Sequence, residues 1–296
     1  MAALEKALAR DPDDYALQKD LRSISRLAER FEQQFLELAK QSQIDVCRYR
    51  IIPGTNNYSL RNVTESLSDF QGIITAIYDA KVTGTKKTRA SYSNETHAQS
   101  ALQFGYTYGG SLGVVLMLES ERDMFSGKFD DVVETFQQVL EVSDEHDVRD
   151  ISRVLGQAVM GRVYQWAAAN SAADYSLDIQ WKRSDGVEIG EYIEAQKLKK
   201  IMDIILLTKE PSSEPIEVSG ILVGIDVKKK AGSFHLVVPE GESFAGVLSD
   251  SFDRAAHWEV NTRYTARMTK RTVVHFATER TDVSFLLEGL EAELYS

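Results

Sequence analysis

The chain has 296 residues, a formal net charge of −11, 43% hydrophobic residues and 27% charged residues. This length fits one large or two ordinary domains, and the composition is typical of a globular protein. The acid excess argues against binding of nucleic acid or anionic membrane by the surface as a whole, and the single cysteine, Cys47, excludes an internal disulfide framework and a multi-cysteine metal site.

The N-terminal segment, residues 1–44, is predicted to be helical, with one long helix over residues 15–41. Apolar residues recur there at alternating spacings of four and three, which makes a heptad seam. The members of this seam are Leu17, Leu21, Ile24, Ala28, Phe31, Phe35 and Leu38. Two interpretations stay open. The seam packs against the protein's own body, which its two phenylalanines favour, or it binds a partner helix or a second copy of the chain.

Residues 45–208 are predicted to form an α+β domain, in which helices cover a small sheet of roughly four strands. The pair Gly109-Gly110 supplies the positive φ angles of a tight hairpin turn, and the polar stretch 82–95 is predicted to be a mobile loop. In chain order, the predicted elements are a strand at 45–52, a helix at about 59–80, two strands within 102–118, helices at 129–140 and 147–169, a strand at 176–183 and a helix at about 190–207.

A linker is predicted at residues 209–215, where two prolines and two serines fall within seven residues. Residues 216–296 are predicted to form a small OB-like or SH3-like β-barrel. From Trp258 to Met268, apolar and polar residues alternate, which places one face of a strand in a core and the other in water. The predicted strands are 216–227, 233–238, 243–248, 257–269, 272–278 and 282–288, with a turn or short helix at 249–256.

Few residue patterns point to catalysis. Asp178, Gln180 and Lys182 alternate onto one strand face, as in nucleases whose acids bind Mg²⁺ and whose lysine steadies the attacking water. No second acid of such a site is identifiable, and a solvated strand face explains the same pattern. The glycines within 105–113 lack the lysine of a phosphate-binding loop, and the five histidines lack the spacing of a zinc site. Cys47 is predicted to be a buried, inert thiol. We therefore predict no catalytic residue, no metal site and no cofactor.

The predicted barrel carries the best candidate binding site. Its cations are Arg263, Arg267 and Arg271 on one strand face and Lys228, Lys229 and Lys230 at a hairpin tip. Cations on a barrel face and its loops bind single-stranded nucleic acid in OB folds, and the same charges suit an acidic protein partner. The aromatic side chains that would stack on bases face inward in the predicted strands. A solvated face that discourages aggregation therefore explains the cations as well.

Three hypotheses for function follow. The leading one is a non-enzymatic binding or assembly subunit of a multi-protein, bacterial-type cytoplasmic system, acting through the heptad helix and the C-terminal barrel. It implies a protein partner or a homo-oligomer. The alternatives are a single-stranded nucleic-acid-binding barrel protein and a metal-dependent hydrolase or nuclease that uses Asp178 and Lys182. The sequence has no apolar run of the ~20 residues that span a bilayer and no apolar secretory signal, so we expect a cytoplasmic protein without membrane contact.

Overall fold

The computed structural model describes residues 7–55, 57–108, 111–120, 127, 129–228, 230–239 and 241–293. The predicted α+β class is confirmed, since the chain contains helices and two separate sheets. It divides into two compact units, residues 1–208 and 209–296. Among the described residues, none of the helices combines the length and the apolar character needed to cross a membrane.

The first unit is a five-stranded antiparallel sheet with helices, one strand more than predicted. The sheet order is β2-β3-β1-β4-β5. The strands are β1 (Ile44–Pro53), β2 (Gln103–Tyr108), β3 (Leu112–Glu119), β4 (Tyr175–Lys182) and β5 (Glu188–Ile193). The helices are α1 (Tyr15–Gln41), α2 (Leu60–Thr83), α3 (Asn94–Gln99), α4 (Asp130–Leu140), α5 (Glu145–Leu155), α6 (Gln157–Ala172) and α7 (Ala195–Leu207). The hairpin turn predicted at Gly109-Gly110 lies outside the described residues.

One face of this sheet is covered by α2, α4 and α6. Alternation along β1 and β4 sends Tyr49 and Trp181 to this side, where both are buried. The ring of Phe70 on α2 lies 4.8 Å from that of Tyr49 and 5.4 Å from that of Phe136 on α4. Trp166 on α6 completes the aromatic core at 6.5 Å from Phe70. Apolar burial on this face therefore supplies most of the driving force for folding of the unit.

A closed chain of hydrogen bonds runs through the same core. Trp166 Nε1 donates to Tyr49 Oη at 2.9 Å, and the Tyr49 hydroxyl lies 2.8 Å from Ser66 Oγ. Ser66 donates to Asn170 Oδ1 at 2.7 Å, and Asn170 Nδ2 returns to the carbonyl oxygen of Trp166 at 2.8 Å. Burial raises the pKa of Tyr49 well above its ordinary value, so its hydroxyl stays protonated and able to donate. Each side chain of this network has hydrogen-bond partners, so its burial leaves no polar group unpaired. The network therefore favours one arrangement of the core.

The helix predicted over residues 147–169 is two helices, α5 and α6, which meet at Gly156. This glycine has φ +93°, and a side chain there would place its Cβ 2.7 Å from the backbone nitrogen of Lys87. The backbone carbonyl oxygen of Lys87 accepts a hydrogen bond from Ala158 N at 3.0 Å. The side-chain Nζ of Lys87 lies 2.9 Å from Oδ2 of buried Asp79. The break therefore lets part of the predicted loop 82–95 pack closely on the start of α6.

The start of the last predicted helix is instead the edge strand β5. Alternating exposure along Glu188–Ile193 follows the period of a strand, with Ile193 buried. Gly190 lies opposite Gln180, where an added Cβ would come within 3.1 Å of the Gln180 side chain. The helix α7 begins only at Ala195. The apolar residues of this stretch fit both the period of two of a strand and the period of 3.6 of a helix. This ambiguity explains why a helix was predicted to begin at about residue 190.

The second unit consists of β6 (Lys209–Asp226), β7 (Ser233–Val237), β8 (Ser243–Leu248), β9 (Thr262–His275) and β10 (Arg280–Ala292). Hydrogen bonding follows the order β10-β8-β7-β6-β9, and β9 pairs in turn with β10. Among the described strands of this unit, only β8 and β10 pair in parallel. Inward-facing Leu222, Leu236, Tyr264, Met268 and Leu287 form its buried core.

Two predictions for this unit are wrong. The predicted linker 209–215 is the first part of β6, paired with β9 from Lys209 to Pro215. The strand β7 pairs with β6 only from Ile221 onward, so the first part of β6 has an edge that β7 does not pair. Proline, which has no backbone N–H to donate, is tolerated at such an edge. The two strands predicted at 257–269 and 272–278 are largely the single strand β9. The segment 249–256 contains turns, one of the two forms predicted for it.

Candidate functional site

The α1 seam is a predicted feature that the described chain leaves partly uncovered. Asp14 caps the helix, accepting hydrogen bonds from the backbone nitrogens of Ala16 and Leu17 at 2.9 and 3.0 Å. Phe35, Leu36 and Ala39, near the C-terminal end of α1, pack against Val46 and Val115 of the sheet. Further towards the N-terminus Ile24 is 39% exposed, Leu27 beside it 52% and Phe31 62%, whereas Leu17 and Leu21 are half-buried. Packing on the protein's own body therefore accounts for Phe35 but not for Leu38, which lies at the same end of the seam and is 62% exposed.

A groove joins this open seam to β2. It has a volume of about 510 Å³ and is lined by Ala28, Phe31 and Phe35 of α1, by Arg48 of β1 and by Tyr106 and Tyr108 of β2. The ring of Phe35 meets Tyr106 edge-on with centroids 5.1 Å apart. Burial raises the pKa of both tyrosines, so their hydroxyls are neutral at physiological pH. We call this feature the α1 groove; its chemistry suits an apolar or aromatic occupant.

The cation in the α1 groove is already neutralised. Arg48 Nη1 lies 2.9 Å from Glu32 Oε1, and its guanidinium sits 4.9 Å from the centroid of the Tyr108 ring. Arg48 therefore ties α1 to the sheet and stacks on an aromatic wall. With its charge matched by Glu32, the groove is not arranged as a binding site for anions.

The nuclease-like residues lie on the sheet face that α1 partly covers, as their alternation predicted. Asp178 accepts a hydrogen bond from Gln180 Nε2 at 3.1 Å and lies 3.9 Å from Arg50. Lys182 pairs with Glu188 at 2.7 Å, and its hydrogen bond lowers the pKa of that carboxyl. A metal site needs acids that converge on one point, whereas here Asp178 faces an arginine. Within the described part of the chain, no cluster of histidine, cysteine, aspartate and glutamate could hold a metal ion.

The three predicted arginines of β9 share one outward face, and two of them are matched by acids on the neighbouring strand and beyond its end. Arg263 lies 3.0 Å from Glu293, and Arg267 lies 3.1 Å from Glu291. Hydrogen bonds from Ser219 and Thr265, then the charge of Arg263, lower the pKa of Glu293. Arg271 is exposed but lies eight residues from Arg263, or about 26 Å along the strand. The row is thus a set of cross-strand ion pairs rather than a continuous cationic track.

The lysine loop lies at the far end of β6 from Arg271. Lys228 and Lys230 are exposed, whereas Lys229 lies outside the described residues. The loop is tied to the rest of the unit through backbone groups, since Leu248 N donates to Ala231 O at 3.1 Å. The structure therefore does not bring the lysine loop and the full arginine row together.

Sequence reasoning missed the groove residues Arg48, Tyr106 and Tyr108. The aromatic residues Phe104, Tyr106 and Tyr108 alternate in the sequence, which could have signalled an aromatic strand face. A register shift between Phe104 and Tyr106 turns Phe104 to the other side. The partnership of Tyr108 with Arg48 depends on the pairing of β2 with β3 and of β3 with β1, which no local pattern encodes.

Cys47 is fully buried, as predicted, and burial raises the pKa of its thiol well above the ordinary value. Two predicted barrel histidines lie beside carboxylates: His275 is 2.9 Å from Asp282, and His257 is 4.0 Å from Glu259. Both are surface pairs. No protein-family model, no curated protein and no solved structure matches this chain, so its function has to be argued from its own geometry.

Proposed function

We propose that this chain is a non-enzymatic binding and assembly subunit of a cytoplasmic multi-protein system. The observation that carries the proposal is the open part of the α1 seam. A helix with a strongly apolar stripe is stable in water only when that stripe is covered. In α1 the sheet covers Phe35 and Ala39 and leaves Ile24 and Phe31 exposed. A second polypeptide that covers the stripe would remove this surface from water.

The α1 groove supports the same function because it continues the seam. An element lying along α1 would contact Phe31 on the helix and could place an apolar side chain between Phe35 and Tyr108. Aromatic residues at the centre of an interface contribute a large share of binding energy. With Arg48 paired to Glu32, the groove offers a partner aromatic surface and little net charge.

The second unit is proposed to be an OB-like barrel that serves as a second contact module. Strands β6, β7 and β8 follow one another, and β9 returns by a longer connection to pair with β6, which is a Greek key. Five strands with this order are typical of the OB fold. Its strands 2 and 3 correspond to β7 and β8, whose exposed side chains are Ser233, His235, Ser243, Ala245 and Val247.

That surface supports protein binding better than nucleic-acid binding. Single-stranded nucleic acid needs a cationic groove and aromatic platforms, and these described residues of β7 and β8 provide neither lysine, arginine, tyrosine, phenylalanine nor tryptophan to the solvent. The nucleic-acid alternative therefore stays a prediction. The nucleic-acid hypothesis would be favoured if a single-stranded oligonucleotide bound with strong salt dependence and if Arg267→Ala abolished that binding.

The proposal is tested by affinity purification from the source organism with three forms of the full chain: wild type, Ile24→Asp and Ser23→Asp. Both substitutions add one carboxylate to adjacent residues of α1, but only Ile24 belongs to the seam. We expect a polypeptide in fixed stoichiometry, either another protein or the chain itself, with wild type and Ser23→Asp but not with Ile24→Asp. Bare monomer in native mass spectrometry for all three forms would overturn the proposal.

A further inference from the structure

Four basic side chains form one face of α1, on the side away from the seam. All four are exposed, and because a helix turns about 100° per residue they lie within an arc of about 80° around its axis. The nearby acids lie outside this arc, Glu29 at its margin and Asp20 towards the seam. Within the part of the chain that the structure describes, none of the four forms an ion pair. We call this set the cationic face: Lys19, Arg22, Arg26 and Arg30.

The cationic face lacks the acidic partners that arginines have on other helices of the chain. On α2, Arg61 pairs with Glu65 four residues away at 2.8 Å. On α5, Arg149 pairs with Glu145 at the same spacing and at 2.6 Å. In the cationic face, by contrast, Arg26 has another arginine four residues away on either side. Like charges at this spacing destabilise a helix, so an anionic ligand would remove a repulsion that the free chain contains.

A surface depression of about 470 Å³ lies among these cations and indicates which anion they fit. Its lining also includes Tyr15 and Leu27, which are 76% and 52% exposed. A complementary ligand therefore carries anionic groups for the cations and an apolar group for the exposed apolar side chains. An acidic peptide segment with apolar residues supplies both. A nucleic-acid backbone supplies only the anions, and a long strand would extend onto a protein of net charge −11.

We propose that the cationic face binds an acidic peptide segment of a partner protein, with carboxylates on the arginines and an apolar side chain on Leu27. This site is separate from the seam, since Ile24 lies about 160° around the helix from Arg26. The inference therefore goes beyond the proposed assembly function and does not depend on it. Because the ion pairs would be exposed, we expect weak binding that falls as the salt concentration rises.

Fluorescence anisotropy of a labelled dodecapeptide of Glu-Glu-Leu repeats, titrated with the full chain, tests the cationic face. The double variant Arg26→Gln/Arg30→Gln should lower the affinity at least about threefold, because it removes two exposed ion pairs. The matched control is Lys199→Gln/Lys200→Gln, which removes two exposed cations from α7 and should leave the affinity unchanged. Far-ultraviolet circular dichroism checks that both variants are folded. Equal affinities of wild type and Arg26→Gln/Arg30→Gln would overturn the inference.

Two further probes of equal charge test the class of ligand. One is a dodecapeptide of Glu-Glu-Ser repeats, and the other is an oligothymidylate. The Glu-Glu-Leu peptide should bind more tightly than either, and Leu27→Ser should abolish its advantage over the Glu-Glu-Ser peptide. Equal binding of the two peptides to wild type would show that charge alone is read and would overturn the apolar contact. Tighter binding of the oligothymidylate, lost in Arg26→Gln/Arg30→Gln, would make the cationic face a nucleic-acid site and overturn the acidic peptide.

The two variants that test the assembly function have the opposite effects here. Ser23→Asp places a carboxylate in the lining of the depression, so it should weaken peptide binding. Ile24→Asp lies on the far side of the helix and should leave peptide binding unchanged. Loss of peptide binding in Ile24→Asp, with Ser23→Asp unaffected, would mean that the peptide occupies the seam and would overturn a separate site on the cationic face.

Discussion

The two faces of the N-terminal sheet are formed by the same strands but are covered to different extents by the rest of the chain. On one face, Tyr49 and Trp181 are buried beneath three helices and an aromatic core. On the other, Arg48 and Lys182 hold carboxylate partners near the surface, and α1 covers only one end. Alternation along β1 and β4 thus separates stability from recognition within a single sheet. Matched substitutions on the two faces test that division.

The largest contrast is expected between two phenylalanines. Phe70 is fully buried against Tyr49, Phe136 and Trp166, whereas Phe31 on α1 is 62% exposed. Phe70→Ala should lower the free energy of unfolding by about 3–5 kcal/mol, because it leaves a cavity in a dense core. Phe31→Ala should change it by no more than about 0.5 kcal/mol. Urea unfolding followed by tryptophan fluorescence, at a concentration where the chain is monomeric, measures both. Equal losses would show that α1 belongs to the core.

A second substitution concerns the layer that covers the buried face. Gly156→Ala should lower the free energy of unfolding by more than about 2 kcal/mol, because it adds strain at φ +93° to a Cβ clash 2.7 Å from Lys87 N. Gly84→Ala is the matched control, since Gly84 has φ +64° with no atom within 4 Å of an added Cβ. It should cost only about 1 kcal/mol of backbone strain. Similar values in thermal unfolding would mean that the contact with Lys87 contributes little.

A pair of tyrosines gives a finer test. Tyr49→Phe removes the acceptor of Trp166 Nε1 and the donor to Ser66, so we expect a loss of about 1–3 kcal/mol in the free energy of unfolding. Tyr108→Phe, in the α1 groove, should cost less, because Tyr108 is only half-buried and its hydroxyl interacts with the partly exposed side chain of Arg48. Urea unfolding of the two variants, side by side with wild type, provides the comparison. A neutral Tyr49→Phe would show that the buried hydrogen-bond chain is dispensable.

Local periodicity predicted much of this fold. The heptad of α1 and the alternation around Tyr264 each depend on neighbours in the sequence; the first located α1 and the second located the middle of β9 but not its ends. The strand β5 was predicted as the start of a helix because its apolar residues fit both periods, and the first part of β6 was predicted as a linker because of its prolines and serines. Pairing with β4 and β9 decides the conformation of both. A sheet partner far along the chain can override local propensity.

The candidate site was predictable only in part, for a related reason. The α1 seam is a local pattern and could be read directly. Its exposure could not, because it depends on where α1 leaves the sheet. Likewise Arg263 and Arg267 looked like free cations until strand pairing brought Glu293 and Glu291 beside them. Charge patterns along one strand do not show which charges face them from the next.

The smallest expected effect concerns the ion pair that ties α1 to the open face. Both side chains of Arg48 and Glu32 are about one-third exposed, at 36% and 33%, so the pair should contribute only about 0.2–1 kcal/mol. Arg48→Ala alone should cost more than Glu32→Ala, because the guanidinium also stacks on Tyr108. A double-mutant cycle on the free energy of unfolding separates the pair from the stacking.

The coupling energy from that cycle should fall when the salt concentration is raised, since the pair is near solvent. The stacking of Arg48 on Tyr108 should be less sensitive to salt and should persist in Glu32→Ala. A coupling well above 1 kcal/mol that does not respond to salt would indicate that the α1 groove excludes water in the free protein. The groove would then be closed rather than open to a partner, and the division between the two faces of the sheet would be weaker than the structure indicates.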